Sequence, residues 1–440
     1  MNKLLQMSTY GLKNLENTIT INFANSTIEK GIKKLNNIKG IFGYNGAGKS
    51  ALMASADFYK NLALVPNFLL QSDVIEQLSK LINFRKKEFF VSMIFDLEGK
   101  TIIKHTIKLN MNAGLASDYI ISEEDISVAT GRTLNDKYKS IVRKKGETVT
   151  FDKDLAPTEY AEALKGTDFN YNSLVITIIR KLLRQRKTDD CKEASPLEKT
   201  IINLALCINK ISVYLSVSDR HKYYIFNKES MESLISYAEE AKKQGEDNWI
   251  ETYTDEETVN INEYDKYQEE NKRLEKFVQI FKPSLKKIDL IPLVDHEVYH
   301  IRRVFVYEDY AVEYEFESSG IKQLVKLFAY LLRSAKGGIT FIDEIDTNIN
   351  TVYFEKLLSF YRNYGEGQLI FTTHNIESMN CLKKQGKAIV VLGEGNKLDT
   401  WVGVGNKSPI TDYIDGNFPN SPMNVEDFDF INVFLGGNDD

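Results

Sequence analysis

Cysteine is scarce in this 440-residue chain: Cys191, Cys207 and Cys381 stand far apart, without the close spacing of a metal cluster. That argues against a disulfide framework and fits a reducing compartment. No run of roughly 18 apolar residues occurs, so no membrane-spanning helix is expected. The start, MNKLLQMSTYGLKNLE, lacks the apolar stretch and small-residue cleavage site of a secretory leader, so a cytoplasmic location without membrane contact is expected. A strong charge of either sign is also missing. The net charge of −6 does not suggest a chain coated for nucleic acid, while a local basic patch stays open. There is no internal repeat, no low-complexity tract and no heptad pattern sustained enough for a long coiled coil. What remains is 42% hydrophobic, 11% aromatic and 27% charged residues, the profile of a globular protein with a core. The length fits about two to three domains.

Along the chain, NTITINF (Asn17 to Phe23) alternates like a half-buried strand, and NIKGIF (Asn37 to Phe42) is a short strand running into a glycine-rich turn. A helix is expected from Ser50 to about Leu70, broken near Pro66. Lys87 to Asn110 reads as a hairpin turning at EGK. The middle, 111–285, changes character, being first mixed and then largely helical. In it Leu274, Phe277, Val278 and Phe281 share one helical face, and KKQGEDNWIETYTDEETVN reads as an acidic exposed loop. Strands return over Val298 to Glu317. A helix from Ser319 to about Ser334, a strand GITFID, a helix around VYFEKLLSFYRNY and a strand QLIFTT follow, which is an α/β succession. Three regions are therefore expected: 1–110, an insertion over 111–285, and 286–440.

Three segments carry chemistry. GYNGAGKS, Gly43 to Ser50, matches G-x-x-x-x-G-K-[ST] with a strand before it and a helix after it. Such a loop curls its backbone N–H groups, with the helix N-terminus, toward phosphates. Asn45, Gly46, Ala47, Gly48, Lys49, Ser50 and Ala51 are thus candidate nucleotide contacts, with Lys49 reaching the β- and γ-phosphates and the Ser50 hydroxyl ligating Mg²⁺. GGITFIDEID ends an apolar strand in Asp343, a candidate metal ligand, and Glu344, a candidate base for an attacking water. In LIFTTHN, His374 directly follows a strand, where a polar side chain can report on the γ-phosphate.

ESSGIKQL, Glu317 to Leu324, opens an apolar helix. Ser318, Ser319 and Gly320 read either as an ordinary cap or as N–H groups and hydroxyls offered to an anion.

In their order these segments resemble an ABC-type ATPase head of the RecF, SMC and OLD-like class: Walker A at Gly43 to Ser50, signature at Ser318 to Gly320, Walker B at Asp343 and Glu344, and switch histidine at His374. The nearest parallels are phage-defence ATPase subunits such as those of the PARIS and AbiL systems. The resemblance spans about the first hundred residues and those from about 280 onward. It implies a P-loop head with a mixed β-sheet core and flanking helices, interrupted by a mostly helical insertion. It further implies ATP and Mg²⁺ as cofactors, ATP hydrolysis, and an ATP-dependent homodimer or larger oligomer in which one subunit's signature closes over the other's nucleotide. As a defence sensor the protein would hold and release a separate toxic effector, a nuclease being one candidate, in response to a phage-derived trigger. The alternative implied is a DNA-repair or chromosome-maintenance ATPase that binds DNA.

There are departures from the family pattern. TNINT (Thr347 to Thr351) replaces the usual Ser-Leu-His-Pro-like segment, and the glutamine expected near Mg²⁺ has only Gln71 and Gln77 as candidates. About 65 residues follow His374, short for an added nuclease domain. They begin with an expected hairpin in KAIVVLGEGNKLDTWVGV and end in NFPNSPMNVEDFDFINVFLGGNDD, a loop with a short amphipathic end. HEVYH (His296 to His300) spells a zinc-protease motif but has strand-like flanks, and a strand would hold the imidazoles roughly 13 Å apart. RKLLRQRK (Arg180 to Lys187) packs five cations into eight residues, with VRKKG as a smaller cluster. A solvated helix face, a nucleic-acid contact and docking of an acidic partner are all open for it.

Overall fold

The computed structural model describes residues 2–24, 37–112, 118–155, 169–188, 194–215, 257–296, 298–403, 407–418 and 434. The first hairpin, β1 (Lys3–Tyr10) and β2 (Ile19–Asn22), alternates buried and outward residues as the sequence pattern requires. Next, β3 (Ile38–Phe42), buried throughout, feeds α1 (Lys49–Leu64), which stops one residue before the Val65–Pro66 pair. After α2 (Ser72–Leu81) come β4 (Glu88–Leu97), β5 (Thr101–Met111), β6 (Tyr119–Ala129), β7 (Tyr138–Lys145) and β8 (Thr148–Phe151). Together with the first hairpin they form an antiparallel seven-stranded sheet in the order β2-β1-β4-β5-β6-β7-β8. One face of it packs on α1 through Met7, Phe89, Val91, Met93, Ile103 and Ile107.

Two helices follow, α3 (Leu174–Thr188) and α4 (Pro196–Asn209). In α4 a capping box joins Ser195 and Glu198, and proline stands at the first helical position. The chain then enters β9 (Ile211–Tyr214). Past residue 256, β10 (Glu257–Asn260), α5 (Tyr264–Phe281), β11 (Lys287–Asp295), β12 (Val298–Val306) and β13 (Ala311–Glu313) build a small antiparallel sheet against α5. Leu274 and Val278 of α5 are buried there with Phe305. The final run is α6 (Ser319–Ala335), β14 (Ile339–Ile342), α7 (Thr351–Tyr364), β15 (Gln368–Thr372), α8 (Met379–Leu382), β16 (Ile389–Leu392), β17 (Leu398–Thr400) and α9 (Pro409–Ile414).

The central sheet has the order β17-β16-β3-β15-β14-β9 and is parallel except for β17. Its inner strands are buried on both faces and largely apolar, because helices cover both. The fold is α/β, with mixed sheets and flanking helices. The segment 111–285, expected as an insertion, contributes to both sheets: β6 to β8 extend the antiparallel one, and β9 pairs with β14 in the central one. Alternation over β6 to β8 is what a half-solvated sheet needs, and β9 is too short to show a period. One stitch joins the two sheets. The Gln368 amide accepts from Leu4 N–H at 2.7 Å and donates to Leu4 O at 2.9 Å, where β1 is bulged between Leu4 and Gln6.

Most of the acidic loop, residues 242–256, and most of the C-terminal stretch after 418 lie outside the described residues. Among the described residues no helix is long and apolar enough to cross a membrane.

Candidate functional site

The phosphate loop leaves the carboxyl end of β3, where ligands of parallel sheets gather. Gly43 has φ 143°, and a Cβ there would lie 2.1 Å from Leu392 O, so only glycine fits. Gly48, at φ 107°, hands the chain to α1. Lys49 is 6% exposed and folds back on the loop, donating to Gly43 O at 2.7 Å and Tyr44 O at 3.0 Å. Burial lowers the pKa of its ammonium, while the charges of Asp343 and Glu344 pull it back up. The lysine is thus within electrostatic reach of both carboxylates, some 300 residues along the chain. Ala47 and Ala51 are buried, Ser50 is half-buried, and Asn45 and Gly46 are exposed at the mouth of the loop.

The carboxylates follow β14, separated from β3 by β15. Asp343 is 4% exposed; its N–H donates to Tyr214 O at 2.9 Å, and its Oδ1 accepts from Thr372 Oγ1 at 2.6 Å. Glu344 adopts φ 50°, a conformation that costs a β-carbon-bearing residue about 1 kcal/mol. Its N–H is held by Thr372 Oγ1 at 2.7 Å. His374 is exposed just past β15, and its neighbour Asn375 donates to Thr351 Oγ1 at 3.1 Å, tying this loop to the start of α7.

ESSGIKQL is a genuine helix start. Ser318 is the N-cap of α6, its Oγ accepting from Ile321 N–H at 3.4 Å. Glu317 accepts from Ser318 N–H at 2.9 Å and from the Tyr307 hydroxyl at 2.5 Å, which fixes the entry to the helix. Ser318 and Ser319 remain exposed. Gly320 lies against the loop after the acidic pair, since a Cβ there would be 3.2 Å from Asn348 O.

Four residues of this neighbourhood escape sequence reasoning. Thr372 is one residue of a TT pair at a strand end, with nothing to mark which hydroxyl faces the carboxylates. Tyr214 accepts from Asp343 through its carbonyl while its hydroxyl donates to Gln323 Oε1 of α6 at 2.8 Å, but β9 carries no motif. Asn14 donates to Gly46 O, and Asn396 donates to Ala47 O at 3.3 Å. Only the G-N turn signal of GEGNK hinted that Asn396 occupies a special conformation.

Residues 212–380 match the family model described as AAA domain, putative AbiEii toxin, Type IV TA system. That span holds Ser318, Asp343, Glu344 and His374 and leaves out the phosphate loop. Among solved structures, similarity extends to an Smc head domain with an extended coiled coil bound to the C-terminal domain of ScpA, derived from Pyrococcus furiosus. There identity is 14%, coverage 91% of this chain and 97% of that one, and the TM-score 0.43. It extends also to an SMC head domain from Thermotoga maritima, at 11% identity, 92% and 100% coverage, and TM-score 0.36. The recombination mediator protein RecF with ATP matches at 13% identity, 91% and 98% coverage, and TM-score 0.38. Likenesses this distant carry no argument about chemistry. No curated protein matches the chain.

The remaining candidates fall elsewhere. Gln71 precedes α2 and Gln77 is exposed on it; among the described residues neither bonds to the phosphate loop. His296 and His300 lie at the β11–β12 hairpin, with no helix. The extended-strand spacing expected for them does not apply, because His296 sits in the turn at φ 53°. Both rings reach one carboxylate: His296 Nδ1 is 2.7 Å from Asp295 Oδ1, and His300 Nε2 is 3.3 Å from Asp295 Oδ2. Among the described residues no group of three or more His, Cys, Asp or Glu could hold a metal ion. RKLLRQRK lies in α3; Arg180 and Lys181 are half-buried, and the side chains from Arg184 onward lie outside the described residues.

Proposed function

We propose that this protein binds and hydrolyses ATP as an ABC-type ATPase whose nucleotide sites are completed by a second copy. The observation that carries the reading is the convergence of Lys49, Asp343, Glu344 and Thr372 at the carboxyl ends of β3, β14 and β15. In this reading the N–H groups of residues 45–51 hold the phosphates, and Lys49 leaves the loop carbonyls for the β- and γ-phosphates. Ser50 and the Oδ2 of Asp343 are oxygen donors suited to Mg²⁺, which keeps few protein ligands and takes the rest from phosphate and water. Glu344 orients or deprotonates the attacking water, and His374 contacts the γ-phosphate.

Ser318, Ser319 and Gly320 would face the nucleotide of the partner copy. Exposed apolar side chains accompany that motif: Phe316, directly before it, is 78% exposed, and Val352, after the acidic loop, is 64% exposed. Beyond catalysis we place the protein in anti-phage defence, holding and releasing a separate effector; the family description matched by residues 212–380 supports that placement. The second reading is a DNA-binding maintenance ATPase, supported by the cationic run in α3.

ATPase activity with and without DNA, across a salt series, separates the two. Strong DNA stimulation that falls with salt and with Arg180→Ala overturns the defence reading. Absence of Mg²⁺-dependent hydrolysis and of ATP binding overturns both.

A further inference from the structure

A loop that turns its N–H groups toward an anion turns its carbonyls the other way, and buried carbonyls need donors. Here Gly43 O and Tyr44 O are met by Lys49 Nζ. The next outward carbonyls are met from outside the loop, Gly46 O by Asn14 and Ala47 O by Asn396 Nδ2, the latter at 3.3 Å.

Asn396 is 8% exposed and uses both ends of its amide. Its Oδ1 accepts from Glu16 N–H at 2.9 Å and Asn17 N–H at 3.3 Å. It occupies the second central position of the turn between β16 and β17. Gly395 has φ 64° and Asn396 φ 59°, and Lys397 N–H closes the turn on Glu394 O at 3.3 Å. Positive φ at both central positions is the type I′ hairpin geometry, which asparagine tolerates. One side chain therefore joins three segments: this turn, the β1–β2 loop and the phosphate loop.

Nucleotide binding, in the ATP reading above on which this step rests, requires Lys49 to leave Gly43 and Tyr44. The lysine brace disappears when the loop must keep its shape; the asparagine braces stay. Within one planar peptide, C=O and N–H point in opposite directions, so the bond to Ala47 O aims the Gly48 N–H. We propose that Asn396 is a positioning residue of the nucleotide site, orienting the Ala47–Gly48 peptide toward the phosphates through its side-chain amide.

The test is titration of a fluorescent ATP analogue with Mg²⁺, alongside thermal melting, for wild type, Asn396→Asp and Asn396→Gly. Aspartate keeps the acceptor for Glu16 and Asn17, cannot donate to Ala47 O, and adds a negative charge whose repulsion of the phosphates is screened by running the titration across a salt series. A merely structural anchor of the turn is thus rescued by aspartate at high salt, whereas a positioning residue is not. Glycine accepts the positive φ and removes all three side-chain bonds. The expected result is about tenfold weaker binding in Asn396→Asp, and about five- to tenfold in Asn396→Gly, the size of one lost buried hydrogen bond. Wild-type affinity in Asn396→Asp overturns the proposal. If Asn396→Asp fails to fold, wild-type affinity in Asn396→Gly overturns it instead. If the wild type binds no nucleotide while remaining folded, the ATP reading itself falls, and this proposal with it.

Discussion

Thr372 donates its hydroxyl hydrogen to Asp343 Oδ1 at 2.6 Å. Its Oγ1 in turn accepts Glu344 N–H at 2.7 Å, so one buried hydroxyl sets both acidic residues. Thr372→Val keeps shape and strand propensity while leaving a buried carboxylate oxygen and an N–H without this partner. The expected outcome is a loss of about 1–3 kcal/mol in stability, by chemical denaturation, and a fall of roughly tenfold or more in ATP turnover. Thr372→Ser should restore most of both. Wild-type turnover in the valine variant removes Thr372 from the site.

Glu344→Gln is nearly isosteric and removes the charge that would serve as base. Turnover should fall by about 10²–10⁴-fold with ATP binding intact. Light scattering with Mg²⁺-ATP should then reveal an assembly trapped with its nucleotide. Full turnover in this variant sinks the role given to Glu344.

Ser318 caps α6 in its own chain, so loss of the cap and loss of a contact in trans must be separated. Ser318→Asp does this, because aspartate caps about as well as serine but repels a γ-phosphate. Melting temperature and monomer ATP affinity should hold, while assembly and hydrolysis are lost. If assembly survives, the motif is a helix cap and nothing more.

Lys39 gives a pH signature that does not involve the site. It is buried in β3, donates to Lys387 O at 2.7 Å and lies over the Phe23 ring. Burial, with the nearby charge of Lys387, pushes its pKa down from 10.5 to about 7. Below about pH 7 it is charged in both states, and the cost of burying the cation is fully present. As pH rises from 7 toward 10.5 the unfolded chain binds more protons than the folded one, so this group makes stability rise. Lys39→Met should therefore stabilise the protein, by on the order of a few kcal/mol at neutral pH, with the gain shrinking toward about pH 10. Denaturation midpoints of both forms across that range check it. A gain that does not vary with pH means that Lys39 titrates normally.

The phosphate loop was legible because its chemistry is local: the glycines, Lys49 and Ser50 lie within eight residues, and backbone geometry follows from them. The acidic pair, the hairpin of β4 and β5, and the helix α6 were legible for the same reason, since period and caps are short-range properties. Tyr214, Thr372, Asn14 and Asn396 were not. Each acts through one to three hydrogen bonds to residues far away in the chain, and a lone Tyr, Thr or Asn has no spacing to betray that. The strand β9 was hidden too, since four residues, ISVY, directly after a helix are too few to show a strand period and look like more of the helix.

The opening of α6 shows where the division falls. ESSG by itself determined a capped helix, because a serine hydroxyl reaches its own third-residue N–H whatever surrounds it. Only the tertiary structure decided that Gly320, just inside this cap, lies against Asn348 in the loop after the acidic pair. That placement depends on which parallel strands adjoin in the central sheet. Strand order is set by packing among segments hundreds of residues apart, and no local pattern encodes it.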